Sequence, residues 1–349
     1  DFNCWKSSSF GELGQIDDVH YDDDITLLNL PCVNPNPRIL HMKYAGAGKT
    51  THVIKELVPR LIAEGKSYIV LTPTHKTLTE YQRDNIRCEV IQKYIFSGTI
   101  PDEEYVIVDE VGFITLECHD VLYKIVQAGK SLECFGDFKQ LPPVDEPYTY
   151  DQPHYLNYMF TEIDTDYTNY RNTFTTEYYD SLINSDKKGF LIKEIKKHST
   201  ALKHAPRVIC YRHDTRRMYN KKIMNMLGLP TWDVRKGHTD WDPTDIDIMC
   251  VKDGLRHKGI CNRSEYTVIY CDAKKVTIVP SSENKMDLSN PIKITFKQLH
   301  TYFEPSYAIN VHQAQGLTLD SYHWAAEDDK FVTNRIAYVV ISRLRHVAE

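Results

Sequence analysis

The run Ala45-Gly46-Ala47-Gly48-Lys49-Thr50 has the residue types and spacing to hold a nucleoside triphosphate. An alternating apolar stretch, Arg38-Ile39-Leu40-His41-Met42, precedes it and reads as a strand. A helical pattern follows it, with Val53, Ile54, Leu57 and Leu61 apolar and Lys55, Glu56 and Arg60 polar. A strand, a glycine-rich turn and a helix N-terminus form a phosphate cradle: backbone N–H groups point at the anion and the positive end of the helix dipole faces it. In this pattern Lys49 reaches the β- and γ-phosphates, and the Thr50 hydroxyl is a ligand for Mg²⁺. The pattern departs from its usual form at Lys43, where glycine is expected.

Such a site needs a carboxylate on a neighbouring strand. Asp109-Glu110 follows the apolar strand Tyr105–Val108, at the strand edge where ligands bind in open α/β sheets. Asp109 suits the metal, and Glu110 suits the orientation and deprotonation of an attacking water. A third strand, Ser131–Phe135, leads into Gly136-Asp137-Phe138-Lys139-Gln140-Leu141-Pro142-Pro143-Val144. The Gln140 amide both donates and accepts, which suits a γ-phosphate sensor.

These residues need a scaffold of strands and helices. From Arg38 to about Val144, short apolar strands (Tyr68–Leu71 among them) alternate with helical patterns, which implies a parallel sheet covered on both faces. A second α/β unit begins near Tyr167, with a strand at Arg207–Tyr211 and a helix over Arg216–Leu227. Between Thr231 and Thr301 the texture turns β-rich. The α/β pattern resumes at Tyr307-Ala308-Ile309 and ends at Ala337-Tyr338-Val339-Val340-Ile341. The expected organisation is an extension over 1–37, a first domain over 38–150, a second over 151–230 and 302–349, and a β-rich insertion over 231–301.

The 349 residues suit about two domains. No apolar run approaches the roughly 20 residues of a membrane span. Nine scattered cysteines without a Cys-x-x-Cys pair argue against a zinc ribbon and fit reduced thiols in an intracellular compartment, cytoplasmic or nuclear. The net charge of −6 hides a basic stretch from Lys187 to Lys222, which reads as a solvated helix face or as one wall of an anion groove. Because the chain opens at Asp1, a preceding domain is expected, such as a primase, a nuclease or another replication module.

Taken in order, the phosphate loop, Leu71-Thr72-Pro73-Thr74-His75-Lys76, Asp109-Glu110-Val111-Gly112 and Gly136-Asp137-x-x-Gln140-Leu141-Pro142-Pro143-Val144 resemble superfamily 1 helicases. The last of these is similar to the 5′-to-3′ branch of RecD-like, Pif-like and Dda-like enzymes. Asn169-Tyr170-Arg171, the run from Tyr307 to Asp320 and Tyr338-Val339-Val340-Ile341-Ser342-Arg343 resemble the later motifs of that family.

The resemblance implies an α/β fold of two RecA-like domains, with a small SH3-like β insertion in the second that clamps the strand or serves only as structure. ATP would lie between the domains, bound with Mg²⁺ held by Thr50 and Asp109. Gly46, Ala47, Gly48, Lys49, Thr50, Thr51 and Gly316 would contact the nucleotide. Lys49, Asp109, Glu110 and Gln140 would act from the first domain, with Arg171 and Arg343 as arginine fingers from the second. Thr72, Pro73, Thr74 and His75, with His312, Gln315 and Thr318, would hold a single strand by its phosphates, DNA being favoured over RNA.

Residues 79–104 leave room for only a very short strand-separating pin near Ser97-Gly98-Thr99. Three readings therefore stand: a helicase or translocase, an ATPase that remodels a nucleoprotein partner without unwinding, and a strand-binding module with a degenerate site.

Overall fold

The computed structural model describes residues 35–143, 159–165, 169–205, 207–232, 241–252, 254–260, 262–272, 274–282, 285–286 and 288–345. Residues 1–34 of the expected extension, and Tyr167 at the expected start of the second unit, lie outside the described residues.

Six parallel strands form the first sheet: β1 (Arg38–Met42), β2 (Tyr68–Thr72), β3 (Cys88–Val90), β4 (Tyr105–Val108), β5 (Ser131–Gly136) and β6 (Glu162–Asp164), in the order β3-β2-β4-β5-β1-β6. Successive side chains of β2 and β4 enter two separate cores. Ile69, Leu71, Val106 and Val108 pack on one face of the sheet, and Val70, Tyr105 and Ile107 on the other. Both faces are covered, so the strands carry near-continuous apolar runs. Pairing places Met42 opposite Gly136 and Val108 opposite Cys134. The phosphate loop, Asp109 and Asp137 therefore leave the sheet along one edge.

Helix α1 starts at Lys49–His52, widens into a π-type stretch over Val53–Leu57 and continues as Val58–Ala63. The Val58 N–H bonds Val53 O just before Pro59, which has no N–H to give, so the wider turn lies where the regular ladder must break. Helix α2 (His75–Arg83) is capped by the Thr74 hydroxyl, which accepts from Thr77 N at 3.3 Å. Helices α3 (Gln92–Ser97) and α4 (Leu116–Gln127) complete this half. No hairpin forms between β3 and β4. The chain runs through α3 and reverses at Gly98 in the left-handed region.

In the second half, β7 (Val208–Cys210), β14 (Ala308–Asn310) and β15 (His323–Trp324) form a parallel three-stranded sheet, with β7 central. Helices α5 (Thr176–Ile183), α6 (Lys188–Lys197) and α7 (His213–Met226) accompany it. The insertion is an antiparallel sheet, β11-β10-β9-β8-β13 with β12 also on β10, built from β8 (Asp247–Cys250), β9 (Glu265–Cys271), β10 (Lys275–Ser282), β11 (Lys285–Met286), β12 (Ile292–Thr295) and β13 (Phe303–Pro305). Helix α8 (Phe296–Tyr302) packs onto its core through Phe296 and Leu299. After β14 comes the short α9 (Val311–Ala314), and the chain's last helix is α10 (Asn334–Ile341).

Two expectations shift, and one open question closes. The first sheet continues past residue 150, because β6 pairs with β1. The insertion continues past 301, because β13 pairs with β8. The apolar run Ala337–Ile341, which could equally have been a strand, is the buried α10, started by the Thr333 hydroxyl accepting from Ile336 N. It is apolar all round because α5 and α6 flank it. Part of the basic run from Lys187 is tied down: Lys196 pairs with Asp329, Arg212 with Asp328, and Arg216 with Glu304.

A polar ladder crosses β5, β1 and β6. His41 Nε2 lies 2.7 Å from Glu133 Oε1, and Nδ1 lies 2.8 Å from Asp164 Oδ2. Tyr105 donates to Glu133, Arg60 lies 3.8 Å from it, and the Lys43 ammonium lies 3.2 Å from Asp164. Burial, the largest single influence, lowers the His41 pKa, but the two carboxylates together raise it above its ordinary value. Burial raises the Glu133 pKa, but its partners hold it below the usual carboxylate range.

Because the folded pKa of His41 is raised, its stabilising contribution is full below its unfolded pKa and disappears as pH rises through the folded value. The Glu133 contribution is present above its unfolded pKa and fades as pH falls through the folded one. His41→Gln should therefore cost about 1.5–3 kcal/mol at pH 6 and clearly less at pH 9. Urea unfolding at both values checks this, and a loss independent of pH would refute it.

Candidate nucleotide site

The phosphate loop has the conformation its glycines allow. Gly46 (φ 87°) and Gly48 (φ 71°) are left-handed, and Gly48 opens α1. Lys43 is not left-handed, so no glycine is needed there, and its N–H bonds Gly136 O at 3.0 Å. The departure at Lys43 is thus accommodated, with the side chain serving the ladder at Asp164. The Lys49 ammonium bonds Lys43 O and Tyr44 O, each at 3.2 Å, and so lies across the mouth of the loop.

The Thr50 hydroxyl donates to Asp109 Oδ2 at 2.8 Å, and Tyr81 donates to the same oxygen at 2.6 Å. Asp109 is fully buried and accepts from Glu110 N at 2.9 Å through Oδ1. Glu110 takes a left-handed backbone (φ 58°), rare for a side-chain-bearing residue and often associated with function. Burial raises its pKa, the Lys49 ammonium opposes this, Asp109 adds to it, and the net shift is upward. Among the described residues no three metal-ligating side chains cluster. A hydroxyl and a carboxylate at hydrogen-bond distance are nevertheless the donor set that suits Mg²⁺, whose other ligands are waters and phosphate oxygens.

The second half closes this edge. The Tyr170 N–H bonds Gly46 O at 3.0 Å, and a Cβ on Gly46 would lie 2.7 Å from Arg171 Cβ and 2.8 Å from Asn169 Oδ1. Arg171 Nη1 donates to Ser342 O at 3.0 Å. Arg343 is buried, with Nε donating to Val339 O at 3.1 Å and Nη2 to Ser342 Oγ at 2.8 Å. Burial, then the neighbouring Arg343, lowers the Arg171 pKa to about 10, and burial lowers that of Arg343. Gln140 is buried, and its amide donates to Asp137 Oδ2 at 3.0 Å.

One cavity of about 580 Å³ gathers these groups. Gly46, Ala47, Gly48, Lys49, Thr50 and Thr51 line it from the loop, Glu110 and Gln140 from the sheet edge, and Arg171, Arg343 and Gly316 from the second half. Asp109 lies just behind the wall.

The strand-contact residues divide. Pro73 and Thr74 reach the cavity wall, but Thr72 is fully buried, with its hydroxyl donating to Thr74 O at 3.1 Å, so it shapes the loop instead of facing a strand. The His75 side chain lies outside the described residues. Thr318 and Gln315 line the cavity rather than an outer track. Gln315 is buried in the joint, with Nε2 donating to Leu141 O at 3.2 Å. His312 is half-buried beside Tyr211, and burial, Arg263 and His213 lower its pKa.

Sequence reasoning passed over Tyr81 and Arg335, which lie outside the quoted motifs, and gave no role to Tyr338, which opens the Tyr338–Arg343 motif. It also passed over Tyr170, whose ring is 74 % exposed beside Gly48. Its position between Asn169 and Arg171 was the available signal.

Residues 39–156, about a third of the chain, match the model of the AAA domain family. No curated protein matches by sequence. Across nearly the whole chain the fold is that of Pif1 helicases. A structure of two coordinating Pif1 helicases unwinding forked double-stranded DNA superposes with TM-score 0.59 at 17% identity, covering 94% of this chain and 90% of that one. Pif1 helicase from Candida albicans gives 0.57 at 14% (95% and 93%), and Pif1 from Bacteroides with ADP-AlF3 and ssDNA gives 0.54 at 16% (95% and 93%).

Gly46→Ala forces a Cβ onto Arg171 and strains a left-handed backbone. The expected result is a loss of about 1–3 kcal/mol of stability and at least about a tenfold loss of nucleotide affinity. Thermal unfolding and titration with a fluorescent ATP analogue measure both, and wild-type values in each would remove the close-approach argument.

Proposed function

We propose that this chain hydrolyses ATP between its two halves and uses the cycle to move 5′ to 3′ along single-stranded DNA, opening duplex ahead of it. The observation that carries this reading is the shared cavity, where Lys49 and Glu110 from one half meet Arg171 and Arg343 from the other. The Pif1 structures bound to ADP-AlF3 and ssDNA support it by likeness of fold.

In this reading the N–H groups of the phosphate loop and Lys49 hold the β- and γ-phosphates. Thr50 and Asp109 would hold Mg²⁺, which when bound neutralises phosphate charge. Glu110 accepts a proton from the attacking water, and its raised pKa makes it a better proton acceptor. Gln140 contacts the terminal phosphate. Arg171 and Arg343 stabilise the charge that develops as the bond to ADP breaks. Tyr170 offers an aromatic face for the nucleobase at the cavity mouth. The second half supplies two cations to the reaction, so hydrolysis depends on how the halves meet, and this links turnover to domain motion. The reading as a degenerate binding module loses ground, because the polar groups needed for hydrolysis border one space or, like Asp109, lie directly behind its wall.

Steady-state ATPase assays with and without oligo-dT test this. Lys49→Ala should abolish turnover, and Arg343→Ala should lower kcat by about 10³-fold or more. Glu110→Gln should remove the acid limb of the pH–rate profile, which in wild type should titrate above the ordinary carboxylate value. Wild-type turnover that ignores single strands of DNA and RNA would favour the partner-remodelling ATPase. Strand-stimulated turnover in Lys49→Ala would exclude the phosphate loop as the engine.

A further inference from the structure

The fully buried Tyr338 of α10 joins three segments at a single oxygen atom. Its phenol accepts from Ala45 N at 2.9 Å, at the start of the phosphate loop, and donates to Asp137 Oδ2. That same carboxylate oxygen accepts from Gln140 Nε2 at 3.0 Å, while Oδ1 accepts from Lys139 N at 3.1 Å. One turn earlier on α10, Arg335 Nη1 donates to Phe138 O at 2.7 Å and Gln140 O at 2.8 Å. One turn later the helix runs into Ser342 and Arg343: Ser342 N bonds Tyr338 O at 2.9 Å, and Arg343 Nε bonds Val339 O.

We propose, resting on the ATP-hydrolysis reading above, that Tyr338 is the positioning residue through which the state of Gln140 sets Arg343 and the phosphate loop. Gln140 and Tyr338 donate to one carboxylate oxygen, so their bonds compete. When the Gln140 amide turns to a terminal phosphate oxygen, Asp137 Oδ2 is left to Tyr338 alone. That bond strengthens, and the polarised phenol becomes a better acceptor for Ala45 N–H, since bonds in a chain reinforce one another in a low-dielectric interior. The helix that carries Arg343 is thereby drawn onto the loop. Burial and the Asp137 charge push the Tyr338 pKa well up, so the phenol stays a donor at any working pH. Tyr338 touches no reacting atom in this scheme. It acts through Asp137 on one side and through its helix on the other.

Tyr338→Phe removes the hydroxyl and keeps the ring, which packs at 5.2 Å on Tyr179 and 5.8 Å on Tyr44. Four quantities are compared with wild type: kcat without strand, kcat at saturating oligo-dT, KM for ATP and melting temperature. The expected result is KM within about twofold, a small melting shift, and a fall in kcat that reaches about tenfold or more at saturating oligo-dT. Asp137→Asn should give the same pattern, because a neutral amide oxygen is a weaker acceptor and no longer polarises the phenol when Gln140 turns away.

A Tyr338→Phe variant stimulated as strongly as wild type, when wild type is stimulated, overturns the Tyr338 assignment alone. Strand-free and stimulated rates that fall together in step with melting temperature make Tyr338 a structural brace, and also overturn it. A wild type that hydrolyses ATP but ignores every strand overturns this proposal together with the translocase reading.

Discussion

The backbone-to-backbone contact between Gly46 and Asn169-Tyr170-Arg171 is the constraint on which the site depends. Only a residue without a Cβ leaves room for Arg171 at 2.7 Å, and only a left-handed backbone turns the Gly46 carbonyl to meet Tyr170 N–H. The contact is anchored in apolar packing. Tyr44, Ala45 and Leu141 of the first half lie in the same core as Tyr179, Ile336, Tyr338 and Val340 of the second. The joint is thus a stretch of packed interior, with the dense and discrete geometry that implies. The cavity is what remains open at its edge.

That edge is electrostatically unbalanced. Lys49, Arg171 and Arg343 meet there, and the hydrogen bonds of all three go to carbonyls or a hydroxyl, with no ion pair to a carboxylate among the described residues. Other part-buried arginines meet a carboxylate directly, as Arg207 does at Glu265 and Arg216 at Glu304. Burying charge without a partner costs several kcal/mol per ion. At this edge a polyanion would relieve that cost. The depressed pKa values of Arg171 and Arg343 reflect the same burial, which the nearby Glu110 offsets only in part.

Much of this was legible in the sequence because it depends on local chemistry. Gly46, Gly48, Lys49 and Thr50 carry their geometry within six residues, and Asp109 follows an unmistakable apolar strand. What the sequence left open has physical causes. Residues 337–341 are apolar throughout, a pattern that a fully buried helix and a buried strand share, so their element type stayed undecided. The boundary expected at 150 leaves out β6, which is only three residues long and returns to β1 from far along the chain. Thr72 and Gln315 were read as facing a strand because a motif gives residue order and not direction. Thr72 ends a strand facing inward, and Gln315 reaches across the joint to Leu141. Tyr81 went unmarked, and Tyr338 had no assigned role within its motif, because each tyrosine matters here for the carboxylate it meets after folding.

The joint is held largely by groups that face protein. Arg335 grips the carbonyls of Phe138 and Gln140, Gln315 grips Leu141, and Tyr338 bridges Ala45 and Asp137. A nucleotide therefore does not have to assemble the interface from separated domains. It has to shift the balance between nearby arrangements of an interface that already exists, and it can do so only by the difference in its contacts to each. A coupling of about 1–3 kcal/mol is typical for linked sites, comparable to one or two charge-assisted hydrogen bonds. The Asp137 carboxylate and its competing donors can supply a difference of that size. Gln140 and Arg343, each a single residue at the end of this short polar chain, then suffice to link what happens at a phosphate to how the two halves sit.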